Sequence, residues 1–142
     1  MRATDLTGIA NDVRRASAAR QPLMPHAATA AALYEERGRR ARLFKRFGVP
    51  ESELSWDMLL LLYMAAAEGR RVSVSAICSA GGTSLTTGLR HLGHLLDGGV
   101  VTRQHDPDDR RRSWVRLTEE GMTAMRLHLE EIEQPSANTH WV

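Results

Sequence analysis

The chain has little of several things that proteins commonly rely on. A single cysteine, Cys78, leaves no internal disulfide and no cysteine-based zinc cluster. Aromatic residues make up only 5% of the 142 residues, so the core must be built mostly from Leu, Ala, Val and Met. The longest uninterrupted apolar stretch, Met58 to Ala67, is ten residues, about half of a membrane span. No charged opening followed by a long apolar run starts the chain, so neither a secretory signal nor a membrane partner is expected. There is no G-x-S-x-G, no glycine-rich phosphate loop with a lysine and no pair of metal-binding carboxylates in a strand–loop setting. An enzyme is therefore not expected, and neither is a cofactor or a metal.

What is present is a chain of one domain's length with 42% hydrophobic residues, enough to bury a core. Its net charge of +2 hides a division along the sequence. Residues 1–26 carry four Arg against two Asp, and residues 27–68 balance six basic against six acidic. Residues 69–117 hold eight Arg against four Asp, whereas residues 118–142 hold one Arg against five Glu. The local surplus matters more than the total, because a polyanion feels nearby charge. Lys45 is the only lysine, so the cations are planar guanidinium forks suited to phosphates and base edges.

Residues 1–26 read as a weakly structured N-terminal arm closed by Pro22 and Pro25. An Ala-rich, helix-favouring segment spans 27–50, with Leu33, Tyr34, Ala41, Phe44 and Phe47 as its apolar stripe and Gly48 and Pro50 as its exit. A second helix starts at Ser52 or Ser55 and runs to about Glu68, apolar on nearly every face. A brief strand at 70–74 precedes a short helix through Ile77 and Cys78. After Gly81-Gly82, a further helix capped by Thr83 or Ser84 runs to about Asp97. Two alternating runs, 100–105 and 112–117, enclose a charged turn and predict a β-hairpin. The last helix, 118–135, places Met122, Met125, Leu129 and Ile132 on one face and ends at Pro135, ahead of a polar tail, 136–142.

The informative feature is the order from Trp56 to Leu117: helix, brief strand, short helix, glycine turn, helix, hairpin. Two helices joined by a tight turn make a helix-turn-helix whose second helix can enter a DNA major groove, and a hairpin just behind it would be a wing. In that second helix Leu85, Leu89, Leu92 and Leu96 predict the buried face. Thr83, Ser84, Thr86, Thr87, Arg90, His91 and His94 are the candidate DNA contacts, and no acidic residue occurs between Val72 and Leu96. Arg110, Arg111 and Arg112 at the hairpin tip suit DNA backbone or minor groove. Asp109 is expected to hold the wing's shape from within.

Asp109-Arg110-Arg111, followed by Val115-Arg116-Leu117-Thr118-Glu119-Glu120-Gly121, resembles the wing and exit of the MarR family of winged helix-turn-helix regulators. Ser84 through Arg90 to Leu95, then Gly99-Val100-Val101, resembles that family's recognition helix and its passage into the wing. The likeness covers about residues 54–121. Gly88 and Gly93 inside the recognition helix, and Leu89 before Arg90, depart from the pattern. The resemblance implies a mainly α fold with a small β-hairpin: a winged helix-turn-helix at 51–121 flanked by dimerisation helices at 27–50 and 118–135. It also implies, in many members, a sensor for a small molecule or oxidant.

The expected dimer contacts are Leu33, Phe44, Phe47, Met122, Met125, Leu129 and Ile132. A cavity lined by Tyr34, Trp56, Tyr63 and Met64 is the candidate site for a small aromatic effector. His91 and His94 lack a third partner at ligand spacing and read as polar surface histidines rather than a metal site. Cys78 reads as a buried, inert thiol. The expected function is a cytoplasmic, nucleoid-associated homodimer that reads an inverted repeat in double-stranded DNA. The alternative is a winged-helix module that binds another protein.

Overall fold

A computed structural model describes residues 3–18 and 24–133. Pro22, Pro135 and the tail 136–142 lie outside the described residues. In chain order the elements are α1 (Ala3–Ala18), α2 (Ala27–Phe47), α3 (Glu53–Ala67), β1 (Val72–Ser73), α4 (Val74–Ser79), α5 (Leu85–Asp97), β2 (Val101–His105), β3 (Ser113–Leu117) and α6 (Glu119–Glu133). The strands form one antiparallel sheet in the order β1-β3-β2. The fold is mainly α with a small sheet, a winged helix-turn-helix. It divides into two compact units, residues 43–127 and residues 1–42 with 128–142.

In the 43–127 unit, sequence punctuation sets each element. After α2, the Gly48 N–H donates to the Lys45 carbonyl (3.1 Å) and the Val49 N–H to the Phe44 carbonyl (3.0 Å). These bonds satisfy the helix's last carbonyls and turn buried Val49 into the core. Ser52 caps α3, its Oγ accepting from the Ser55 N–H at 3.0 Å, and Ser73 caps α4 in the same way. The apolar helix α3 buries Trp56, Met58, Leu59 and Leu62 and leaves Leu61 and Met64 exposed. Along β3, buried Ser113, Val115 and Leu117 alternate with Trp114 and Arg116, the period-2 pattern of a strand with one face on the core.

The Leu-Thr-x-x-Gly exit has a physical cause. Thr118 Oγ1 donates to the Gly99 carbonyl at 2.7 Å and accepts from the Gly121 N–H at 3.0 Å, while the Thr118 N–H donates to the Val100 carbonyl at 2.9 Å. One threonine thus starts α6 and fixes it to the end of α5. A Cβ at Gly121 would fall 2.1 Å from the Val100 oxygen, so no larger residue fits there.

The other unit corrects the expectation of a weakly structured arm. Residues 3–18 form α1, Ala10 is buried, and Arg14 pairs with Glu35 of α2. The missed signal is the i, i+3, i+4, i+7 spacing of Leu6, Ile9, Ala10 and Val13, masked by the small size of alanine. In this unit a cluster of polar and ionic contacts, with Arg40 and His128 buried and Glu131 exposed, joins α2 and α6. His128 Nε2 lies 2.9 Å from Glu36 Oε1, Arg40 reaches Glu36 Oε2 at 3.2 Å, and Arg39 pairs with Glu131 at 2.8 Å.

Two expected dimer contacts are corrected as well. Phe44 (1% exposed) and Met125 (0%) lie in the core of the 43–127 unit, with Phe44 packed edge-on to Trp56 at 6.3 Å between ring centroids. Each sits at helical spacing from its intended stripe, but tertiary packing turns it inward. Phe47, Met122 and Leu129 are half-buried, whereas Leu33 and Ile132 stand exposed.

Candidate nucleic-acid interface

Ser84 caps α5: its Oγ accepts from the Thr87 N–H at 3.2 Å and donates to Thr87 Oγ1 at 3.0 Å. Both hydroxyls are therefore engaged in starting the helix. The buried side of α5 is Gly88, Leu92 and Leu95, packed on α3 and α4. A Cβ at Gly88 would lie 2.4 Å from the Cys78 carbonyl oxygen and 2.8 Å from its Cα. This glycine lets α4 and α5 cross in backbone contact. Cys78 is fully buried there, and burial raises its thiol pKa, as expected of an inert thiol.

The helix is thereby rotated from the orientation its leucines predict. Leu85 and Leu89, expected in the core, are 54% and 42% exposed. Thr83, Thr86 and Arg90 are exposed as expected, and no described carboxylate pairs with Arg90. His91 and His94 do not join them. His91 is half-buried, its Nδ1 3.1 Å from Ser52 Oγ and 3.4 Å from Ser55 Oγ, facing α3. His94 is half-buried too, edge-on to His91 at 6.1 Å between centroids, with its Nδ1 enclosed. As DNA contacts both are corrected: the turn of the helix that buries Gly88 carries them inward. Burial, with the charges of Arg90 and His94, holds the His91 pKa below its ordinary value. Among the described residues, no three His, Cys, Asp or Glu side chains form a metal site.

The wing is shaped by its aspartates. Asp109 Oδ1 accepts from the Arg111 N–H at 2.9 Å, and Asp106 Oδ1 accepts from the Asp108 N–H at 2.8 Å. The Asp106 N–H donates to the Arg112 carbonyl at 3.0 Å, and the Arg112 N–H to the Asp109 carbonyl at 3.1 Å, closing the tip. The bond from the Asp108 N–H chiefly lowers the Asp106 pKa, with the Asp109 N–H, Arg112 and Arg71 acting the same way. Because these carboxylates accept backbone N–H groups, the side chains of Arg110, Arg111 and Arg112 stay exposed. The Arg112 guanidinium lies 5.3 Å from the centre of the Trp114 ring and the Arg71 guanidinium 4.6 Å from it. The charge pattern did not single out Arg71 or Trp114, because only the β1–β3 pairing brings residue 71 to the wing.

The residues expected to line an effector cavity have different surroundings. Trp56 is sealed against Phe44, and Tyr34 is a partly exposed residue of the other unit. The 43–127 unit has instead a shallow groove of about 230 Å³ between α3 and α4, lined by Leu54, Leu61, Met64, Ile77 and Gly81 among others. Of the four expected residues only Met64 borders it.

Comparison with known proteins fits this architecture. Residues 48–112 match the model of the MarR family. Among solved structures, the chain resembles the MepR–DNA complex of S. aureus, with a TM-score of 0.57 and 20% identity over 74% of this chain and 84% of that one. It is similar to the regulator Tm0710 of Thermotoga maritima, with a TM-score of 0.56 and 18% identity over 75% of this chain and 70% of that one. It is also similar to MarR itself, with a TM-score of 0.52 and 18% identity over 82% and 84%. A comparison of the sequence with curated proteins finds no match. The chain is thus similar to the MarR family over residues 48–112, and its fold is the winged helix-turn-helix of the solved structures it resembles.

Proposed function

We propose that this protein is a transcriptional regulator that binds double-stranded DNA as a homodimer. Each subunit would lay α5 in a major groove, with Thr83, Thr86 and Arg90 toward base edges and phosphates. The side chains of Arg110, Arg111 and Arg112 would reach the backbone or minor groove, with Arg71 beside them. Ser84 and Thr87 would order the start of the helix, and Asp109 the wing. One observation carries this reading: Arg90 and the three wing arginines are all exposed on one compact unit, while the neighbouring aspartates are turned to backbone N–H groups. The MarR-family match supports it.

The second copy would cover apolar side chains that the single chain leaves bare, notably Ile9 (51% exposed), Leu33 (63%) and Ile132 (43%). A small aromatic effector would have to use the groove at Met64, since Trp56 is occupied by core packing. No described helix is long and apolar enough to cross a membrane; a cytoplasmic site of action belongs to the same proposal.

The test is a mobility shift with duplex DNA over a range of salt. Binding should weaken steeply as salt rises, because neutralised phosphates release counterions. A chain that shifts no duplex even at low salt would overturn the reading.

A further inference from the structure

We propose that Leu85 and Leu89 read the 5-methyl groups of thymine in each half of the DNA site. The inference rests on the DNA-binding reading above and names what that surface selects. Five leucines lie on α5, and packing separates them sharply. Leu92 and Leu95 are buried to within 1%, whereas Leu85 and Leu89 remain 54% and 42% exposed. The exposed pair lies one turn apart in the first two turns of the helix, the part that approaches base edges when a recognition helix docks. Thr86 and Arg90 follow them directly in sequence and share their exposure.

The setting favours a duplex as the occupant. From Val72 to Leu96 the sequence carries no carboxylate, so Arg90 and the wing arginines complement a polyanion. The floor of the major groove is polar apart from one group, the thymine methyl, which is the natural apolar contact for an aliphatic side chain. Arg90 pairs in the same geometry with guanine O6 and N7. Each half-site therefore combines a guanine with one or two neighbouring thymines.

The experiment enriches duplexes from a random-sequence pool with the wild-type protein. Each thymine of the enriched site is then replaced by deoxyuridine, which removes the methyl group and nothing else. At one or two positions per half-site, replacement should weaken wild-type binding about three- to fivefold, the effect of one buried methyl. The same replacement should leave the affinity of a Leu85→Ala/Leu89→Ala variant unchanged. Both side chains are exposed, so the variant should melt like the wild type, and a melting curve checks that it does.

Wild-type binding that ignores the methyls overturns the inference and leaves DNA binding standing. So does a methyl effect that persists in the double variant. A double variant that falls apart into monomers assigns the leucines to an interface between copies, and this too overturns the inference. If no duplex binds at all, the inference and the DNA-binding reading fall together.

Discussion

The imidazole Nδ1 of His91 stands 3.1 Å from the hydroxyl of Ser52, tying the middle of α5 to the residue that caps α3. His91 is therefore a clamp between two helices. Burial, then the charges of Arg90 and His94, holds its pKa below the ordinary 6.5, so the folded chain favours the neutral ring. On acidification the unfolded chain takes up this proton first. The clamp's contribution is complete above about pH 6.5 and is lost as the pH falls through the folded value. The melting temperature of the DNA-free protein should drop as the pH falls below about 6.5, and His91→Gln should flatten that drop. An unchanged slope in the variant contradicts the clamp.

The two glycines inside α5 should respond oppositely to alanine. At Gly88 a Cβ would meet the Cys78 backbone at 2.4 Å, so Gly88→Ala should destabilise by about 1–3 kcal/mol. At Gly93 no atom lies within 4 Å of the added Cβ, so Gly93→Ala should stabilise by about 0.5–1 kcal/mol through helix propensity. Urea unfolding of the two variants checks the signs.

This contrast also marks how far the sequence was legible. Serine caps, glycine exits and alternating strands place every element from α2 to α6 within a few residues, because each signal acts locally. The rotation of α5 was not legible. Leu85, Leu89, Leu92 and Leu96 form one helical stripe, and Gly88, Leu92 and Leu95 form another about a sixth of a turn away. Periodicity alone cannot choose between stripes that share Leu92. The choice falls to the backbone contact at Gly88, a tertiary event. The inward turn of His91 and His94 follows from the same rotation. Arg71 escaped notice for a related reason: its place beside Trp114 depends on strand pairing across more than forty residues, from Val72 to Val115. The helix α1 is hard to read because its apolar residues, Leu6, Ile9, Ala10 and Val13, are few and widely spaced among polar ones.

Core and association surface should separate cleanly by mutation. Phe44→Ala removes a fully buried ring and should cost about 3–5 kcal/mol of unfolding free energy. Leu33→Ala, at a position 63% exposed, should leave the fold intact and weaken self-association instead. Sedimentation and denaturant unfolding together distinguish them. A Leu33→Ala protein as dimeric as the wild type would remove that residue from the interface.

The wing and the helix should differ in what they control. Arg111→Ala should weaken binding to all duplexes alike and reduce the salt slope by about one. Fluorescence anisotropy on several sequences at stepped salt measures both effects. A loss confined to one sequence would contradict a backbone role for Arg111.

The most direct measurement is parallel selection of random duplexes by the wild-type protein and by Arg90→Ala. The wild type should enrich an inverted repeat with half-site centres about one helical turn apart. The variant should keep that spacing but lose discrimination at one position per half-site, worth about 1–3 kcal/mol. A wild-type pool indistinguishable from its input, or an Arg90→Ala pool identical to the wild-type one, would contradict the assignment of α5 as the reading helix.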